Sequence, residues 1–135
     1  MKILDTLKEK GYEIEEDDGI YLDLGNERVK VRCSYLAKFR DRVLMCVEFT
    51  TPMSMSAVES FLKSYAKILN AVYAVISDGR NLKVFEIPSN REIKPEEILP
   101  AEKAYEIEYD SRLELEKRRA VACYSAIHCK CEVER

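Results

Sequence analysis

Arg42-Val43-Leu44-Met45-Cys46-Val47-Glu48-Phe49-Thr50 is the stretch on which the fold turns. Its apolar run is nearly unbroken, which in a strand means burial on both faces and a central place in a sheet. Pro52 then ends it. From Ser54 onward, Met55, Val58, Phe61, Leu62, Tyr65, Ile68 and Leu69 recur at helical spacing, with Lys63, Ser64 and Lys67 facing away. A second apolar, β-branched run follows at Ala71 to Ile76. A strand, a long helix and a strand with short connections predict a right-handed crossover, so the strands at 42–50 and 71–76 are expected to be parallel neighbours.

Towards the C-terminus, Ser77-Asp78-Gly79-Arg80-Asn81 is turn-rich and Leu82 to Ile87 alternates until Pro88, which predicts a hairpin. Residues 88–110 are polar and hold three of the four prolines, so a connector with a short turn around Glu96 to Leu99 is expected. Ser111-Arg112-Leu113-Glu114 is a capping-box pattern. With Leu115, Val121, Tyr124 and Ile127 it predicts a helix to about His128 that packs back on the sheet or reaches for a partner. Towards the N-terminus, Tyr21 to Leu24 and Val29 to Cys33 alternate around Gly25-Asn26, a second hairpin. Residues 2–10, with Ile3, Leu4 and Leu7 at helical spacing and Gly11 just beyond, form a cap helix. The whole is an α/β chain with a central mixed β-sheet flanked by helices. Residues 1–110 are expected to form the core domain, and 111–135 a C-terminal helix and Cys-rich tail.

The chain has 135 residues, 47% hydrophobic and 35% charged, which suits one folded core and is neither a disordered nor a fibrous composition. Charge arrives within five residues of Met1 and the longest mainly apolar uncharged run, Leu69 to Ser77, is too short to cross a bilayer. A cytoplasmic protein away from the membrane is expected. Five cysteines, an odd number without a signal peptide, fit a reducing compartment. The net charge of −3 hides a local bias. Residues 1–27 carry three Lys/Arg against nine Asp/Glu, whereas 28–42 carry Arg28, Lys30, Arg32, Lys38, Arg40 and Arg42 against Asp41 alone. That stretch is either a solvated strand face or one that meets a polyanion.

A carboxylate at the end of a buried strand needs a cation, a metal or hydrogen-bond donors. Glu48 has that position, just before the crossover helix, where open α/β sheets place their ligand sites. Cap helix, hairpin, a central strand ending in Leu44-Met45-Cys46-Val47-Glu48-Phe49-Thr50, a helix bearing Tyr65, and Tyr73-Ala74-Val75-Ile76-Ser77-Asp78-Gly79 follow one another in a telling order. The sequence over residues 1–87 resembles the N-terminal nuclease region of type I restriction enzyme R subunits, within the PD-(D/E)XK superfamily. The resemblance implies a restriction-endonuclease-like fold in which an Asp of the preceding strand and the Glu of a Glu-x-Lys element hold a divalent metal, the Lys stabilises charge, and water attacks a DNA phosphodiester.

The sequence departs from that pattern at two of three catalytic positions. Thr50 stands for the Lys, and Lys30 of Val29-Lys30-Val31 falls where the Asp is sought, leaving Glu48. An ammonium there would satisfy Glu48 as an ion pair without a metal. In an active variant of the reading, Asp23 or Asp41 supplies the second metal-binding carboxylate for Mg²⁺, and Lys63 or Lys67 the cation. Three functions stay open: a DNA-binding or regulatory module with a degraded metal site, using Arg28, Arg32, Lys38, Arg40 and Arg42; a metal-dependent endonuclease; and a dimerising interaction domain built on the C-terminal helix. Candidate partners are DNA, a second copy, or a restriction-system subunit.

Cys123, His128, Cys129 and Cys131 form a local set with zinc-ligand chemistry, though a continuous helix would not bring them to one face. The eight tyrosines are dispersed and read as packing residues rather than base-stacking ones. A glycine-rich phosphate loop and a Gly-x-Ser-x-Gly elbow are absent from the sequence, which sets aside nucleotide-triphosphate and serine-hydrolase chemistry.

Overall fold

The structure, a computed structural model, describes residues 2–110, 113–127 and 133–134, with side chains at 2–110 and 115–127. The helices are α1 (Lys2–Glu9), α2 (Met55–Ile68), α3 (Ala101–Ala104) and α4 (Leu113–Ile127). The strands are β1 (Glu13–Glu16), β2 (Ile20–Asp23), β3 (Arg28–Val31), β4 (Tyr35–Phe39), β5 (Arg42–Phe49), β6 (Tyr73–Ser77), β7 (Leu82–Glu86), β8 (Arg91–Ile93) and β9 (Val133–Glu134). Six of the strands form one mixed sheet in the order β1-β4-β5-β6-β7-β8, and β2-β3-β9 form a small antiparallel sheet.

Only β5 and β6 run parallel in the large sheet, joined through α2, with Glu48 opposite Ile76. All other pairings are antiparallel. The crossover expected from the two apolar runs is present, and the reason is burial: Leu44 to Val47 and Tyr73 to Ile76 are sealed on both faces. One face carries Cys46, Ala74, Ile76 and Phe85 against Phe61, Leu62 and Tyr65 of α2, with Ala120 of α4 and Leu22, Val29 and Val31 of the small sheet. The other carries Met45, Val47, Tyr73, Val75 and Val84 against Leu7 of α1 and Ala101 and Ala104 of α3. Each large apolar side chain sealed this way stabilises the fold by about 1.5–3 kcal/mol.

Four strands escape the sequence reading: β8 in the connector, β9 in the tail, and β4 and β1. β4 follows Ser34 and turns into β5 through Arg40-Asp41, both with positive φ (50° and 64°), the geometry of a tight primed hairpin turn made without Asn-Gly. β1 is a mainly polar edge strand, Glu13-Ile14-Glu15-Glu16. The hairpin β2–β3 forms as expected, but it lies in the small sheet, and the neighbour of β5 is β4. The connector contains β8, a turn at Pro95–Glu97 and α3. The α4 helix packs along α2. The capping box begins at 111–112 and its side chains, like the end of that helix at His128, lie outside the described residues. Among the described residues no helix is long and apolar enough to cross a membrane.

Candidate functional site

Asp17 and Glu48 meet at the C-terminal end of β5, bracketing the dipeptide Cys33-Ser34 that leads into β4. Consecutive backbone N–H groups point to the two carboxylates: Cys33 N–H donates to Asp17 Oδ2 at 2.8 Å and Ser34 N–H to Glu48 Oε2 at 2.7 Å. The Ser34 hydroxyl adds a second, short bond to the same Glu48 oxygen. Ser34 C=O in turn accepts from Asp17 N–H at 3.2 Å. Tyr65, from the buried face of α2, donates its hydroxyl to Asp17 Oδ2 at 2.7 Å.

Asp17 is only 4% exposed, a costly place for a carboxylate unless donors surround it. A third donor comes from an Asx turn, Gly19 N–H to Oδ1 at 2.8 Å. Gly19 sits at φ +87°, and a Cβ there would lie 2.7 Å from Val31 C=O, so the turn requires glycine. Burial, then the Cys46 thiol, then the Asp17 and Glu48 carboxylates push the Cys33 thiol well above the ordinary range. Burial and the Asp17 bond also raise the Tyr65 hydroxyl, so the tyrosine stays a neutral donor.

Beside this network opens a cleft of about 570 Å³ whose wall includes Glu16, Asp17, Asp18, Arg32, Ser34, Thr50 and Asp78. Thr50 hangs from the adjacent strand through its N–H to Ser77 C=O at 2.8 Å. Asp78 closes its own turn, accepting from Asn81 N–H at 2.6 Å and Arg80 N–H at 2.9 Å, and these bonds hold its carboxyl below the usual range.

The position facing Glu48 is therefore Ser34, not Lys30. Tyr35 pairs with Val47, which sets Ser34 against Glu48. Lys30 lies on the small sheet opposite Tyr21, its ammonium 5.8 Å from that ring. The expectation failed because it took the hairpin as the immediate neighbour of the central strand. Asp23 is on the same hairpin and pairs with Arg28 at 3.9 Å. Asp41 sits in the turn at the far end of β5, roughly 20 Å along the strand from Glu48. Lys63 pairs with Glu59 at 3.3 Å and Lys67 with Glu116 at 3.6 Å.

Glu48 Oε2 accepts from the N–H and hydroxyl of Ser34, and Asp17 accepts from three donors, so neither that oxygen nor Asp17 presents the bare carboxylate oxygen a magnesium ion takes. Among the described residues no group of three or more His, Cys, Asp or Glu is disposed to hold a metal. In the tail set, Cys123 is half-buried on α4, and His128, Cys129 and Cys131 lie outside the described residues.

The five basic residues do not share one face. Arg42 donates to the carbonyls of Tyr105, Ile107 and Asn70 at 2.7, 2.8 and 3.1 Å, fastening the connector to the foot of β5. Lys38 pairs with Glu15 at 2.6 Å, and Arg40 covers the rings of Phe39 and Tyr105 in the far turn. Arg28 lies 4.3 Å over Tyr21 on the hairpin, and Arg32 is exposed at the cleft.

Sequence reasoning missed Asp17. The available signal was Asp17-Asp18-Gly19, an aspartate two residues before a glycine, the mark of an Asx turn.

No family model matches the chain, and no solved structure matches it. A curated protein does: over 122 residues, 90% of this chain and 87% of the relative, it is 34% identical to an uncharacterized protein of Archaeoglobus fulgidus. At that identity and coverage, the chain belongs to the same family as this archaeal protein.

Proposed function

We propose that the chain is a restriction-endonuclease-like module that binds nucleic acid without hydrolysing it. The observation that carries this reading is the bonding of Glu48 to Ser34: where the resemblance calls for a second metal-binding carboxylate, a neutral residue satisfies the glutamate with an N–H and a hydroxyl. The order of elements supports the fold assignment: helix α1, the antiparallel strands β1, β4 and β5, crossover helix α2, parallel β6, then antiparallel β7. Tyr65, the helix tyrosine of the resemblance, bonds into the same network.

The nucleic-acid face on this reading is the outer side of the hairpin. Arg28, Lys30 and Arg32 alternate along one side of β3 and its extension, and Tyr21, 41% exposed, lies across from Lys30. Cations spaced along the strand suit the phosphate backbone of single strands as well as duplex. Lys38, Arg40 and Arg42 have structural work elsewhere and are left out.

Fluorescence anisotropy of labelled single-stranded and duplex DNA across a salt series tests this. Three phosphate contacts give a log–log salt slope of about 2–3. The triple change Arg28→Ala, Lys30→Ala and Arg32→Ala should flatten it. No salt-sensitive binding at low ionic strength would overturn the reading.

A further inference from the structure

Met53 is the most exposed large apolar side chain among the described residues, at 98%, and it stands on a firm support. Pro52, its φ fixed by the ring, opens the single 3₁₀ turn Pro52–Ser54. Ser54 N–H donates to Thr51 C=O at 3.1 Å, and the Thr51 hydroxyl donates to the Ser54 hydroxyl at 3.3 Å. Directly behind comes α2, anchored in the core through Val58, Phe61 and Leu62. The fold itself therefore holds the methionine out into water. The other exposed large apolar side chains among the described residues, Tyr21, Leu99 and Leu115, belong to β2, the stretch before α3, and α4. The exposed residues next to Met53 in the chain are Thr51, Pro52 and Ser56. It is a single prong, not the centre of the apolar patch that a protein partner would bury.

Its place narrows the ligand. Thr50, just before that turn, lines the cleft that Arg32 also lines. Three residues of chain span at most about 10 Å, so Met53 stands by the rim of that cleft, towards the end of the cation row Arg28, Lys30 and Arg32. Glu16, Asp18 and Asp78 in the cleft repel phosphate, which favours a bound strand passing over the rim rather than inside. An apolar prong beside a row of cations matches the two surfaces of a nucleic acid, phosphates for the cations and base faces for the methionine. The unbranched thioether adapts to a gap between stacked rings and makes favourable contacts with aromatic systems. We propose that Met53 is a wedge that inserts between stacked bases of the nucleic acid bound along β3 and unstacks one step. The inference rests on the nucleic-acid reading above and adds to it a contacting residue and a deformation of the ligand.

The test uses the full chain with short single strands and duplexes in which 2-aminopurine, a base whose fluorescence rises on unstacking, replaces each adenine in turn. Anisotropy of end-labelled copies of the same DNA follows binding. The native chain should give a saturable rise at one or more positions. Met53→Ala, at a side chain that is almost wholly exposed, should lose the rise yet keep the salt slope, because the cations still bind. Met53→Leu, which keeps an apolar prong, should retain the rise. Binding by anisotropy without any rise, or a rise that survives Met53→Ala, would overturn the wedge and leave the nucleic-acid reading standing. The absence of any salt-sensitive binding would overturn both.

Discussion

Replacing Asp17 with alanine should unfasten the end of the sheet that carries Glu48. The carboxylate accepts from Cys33 N–H, Tyr65 hydroxyl and Gly19 N–H, and the first two bonds are buried. Each buried donor left without an acceptor costs about 1–3 kcal/mol, and the Gly19 N–H can turn to water, so the loss comes to about 4 kcal/mol. Tyr65→Phe removes one donor and one bond, and should cost about 1.5–3 kcal/mol, the range for a hydrogen bond to a charged group. In the double variant Tyr65 no longer presents an orphaned hydroxyl, so the two losses should fall short of their sum by about 1–2 kcal/mol. Urea unfolding measures all three, read as a shift in midpoint at constant slope. In a thermal scan, Asp17→Ala should melt roughly 12–20 °C lower for a chain of this size. A loss below about 1 kcal/mol for Asp17→Ala, or strict additivity in the double variant, would show that the network does not tie α2 to the β4 entry.

Other perturbations have signs fixed by the same geometry. Gly19→Ala places a Cβ 2.7 Å from Val31 C=O at positive φ and should destabilise by about 2 kcal/mol or more in urea. Asp41→Gly relieves a left-handed residue in an exposed turn and should raise stability by about 1 kcal/mol in the same assay. Cys33 is buried and its thiol is raised, so in the folded protein at mild alkaline pH iodoacetamide should label Cys123 well before Cys33 or Cys46, as read by peptide mass mapping. The linkage has a definite sign. Below the unfolded value of 9.0 both states hold the proton and the shift has no effect; above it the unfolded chain ionises first, so the Cys33 contribution falls as pH rises past 9. Cys33→Ala should make unfolding in that window less pH-dependent.

The crossover was legible because its residues are apolar in an unambiguous way. Leu44 to Val47 and Ala71 to Ile76 leave no polar alternation that an edge or a surface helix would need. β4 was hidden by its turn, since Arg40-Asp41 offers neither of the usual positive-φ residues Gly or Asn, and the surrounding charges read as a basic surface stretch. β1 was hidden for a different reason: an edge strand with three glutamates in four residues looks like an acidic loop. Missing β4 moved every register next to β5, which is why Lys30 stood in for Ser34. Glu48 was legible as a buried-strand carboxylate in need of partners, but its partners were not. Asp17 is joined to Tyr65 across 48 residues and to a backbone N–H, and neither contact leaves a side-chain pattern in sequence.

Incubation of supercoiled and single-stranded DNA with Mg²⁺ or Mn²⁺, comparing the native chain with Glu48→Ala, tests most directly whether Glu48 is held by Ser34 rather than by an ion. With Ser34 satisfying the carboxylate, neither protein should cut, and Glu48→Ala should lower the urea midpoint by orphaning a part-buried N–H. Metal-dependent cleavage by the native chain that disappears in Glu48→Ala would contradict it.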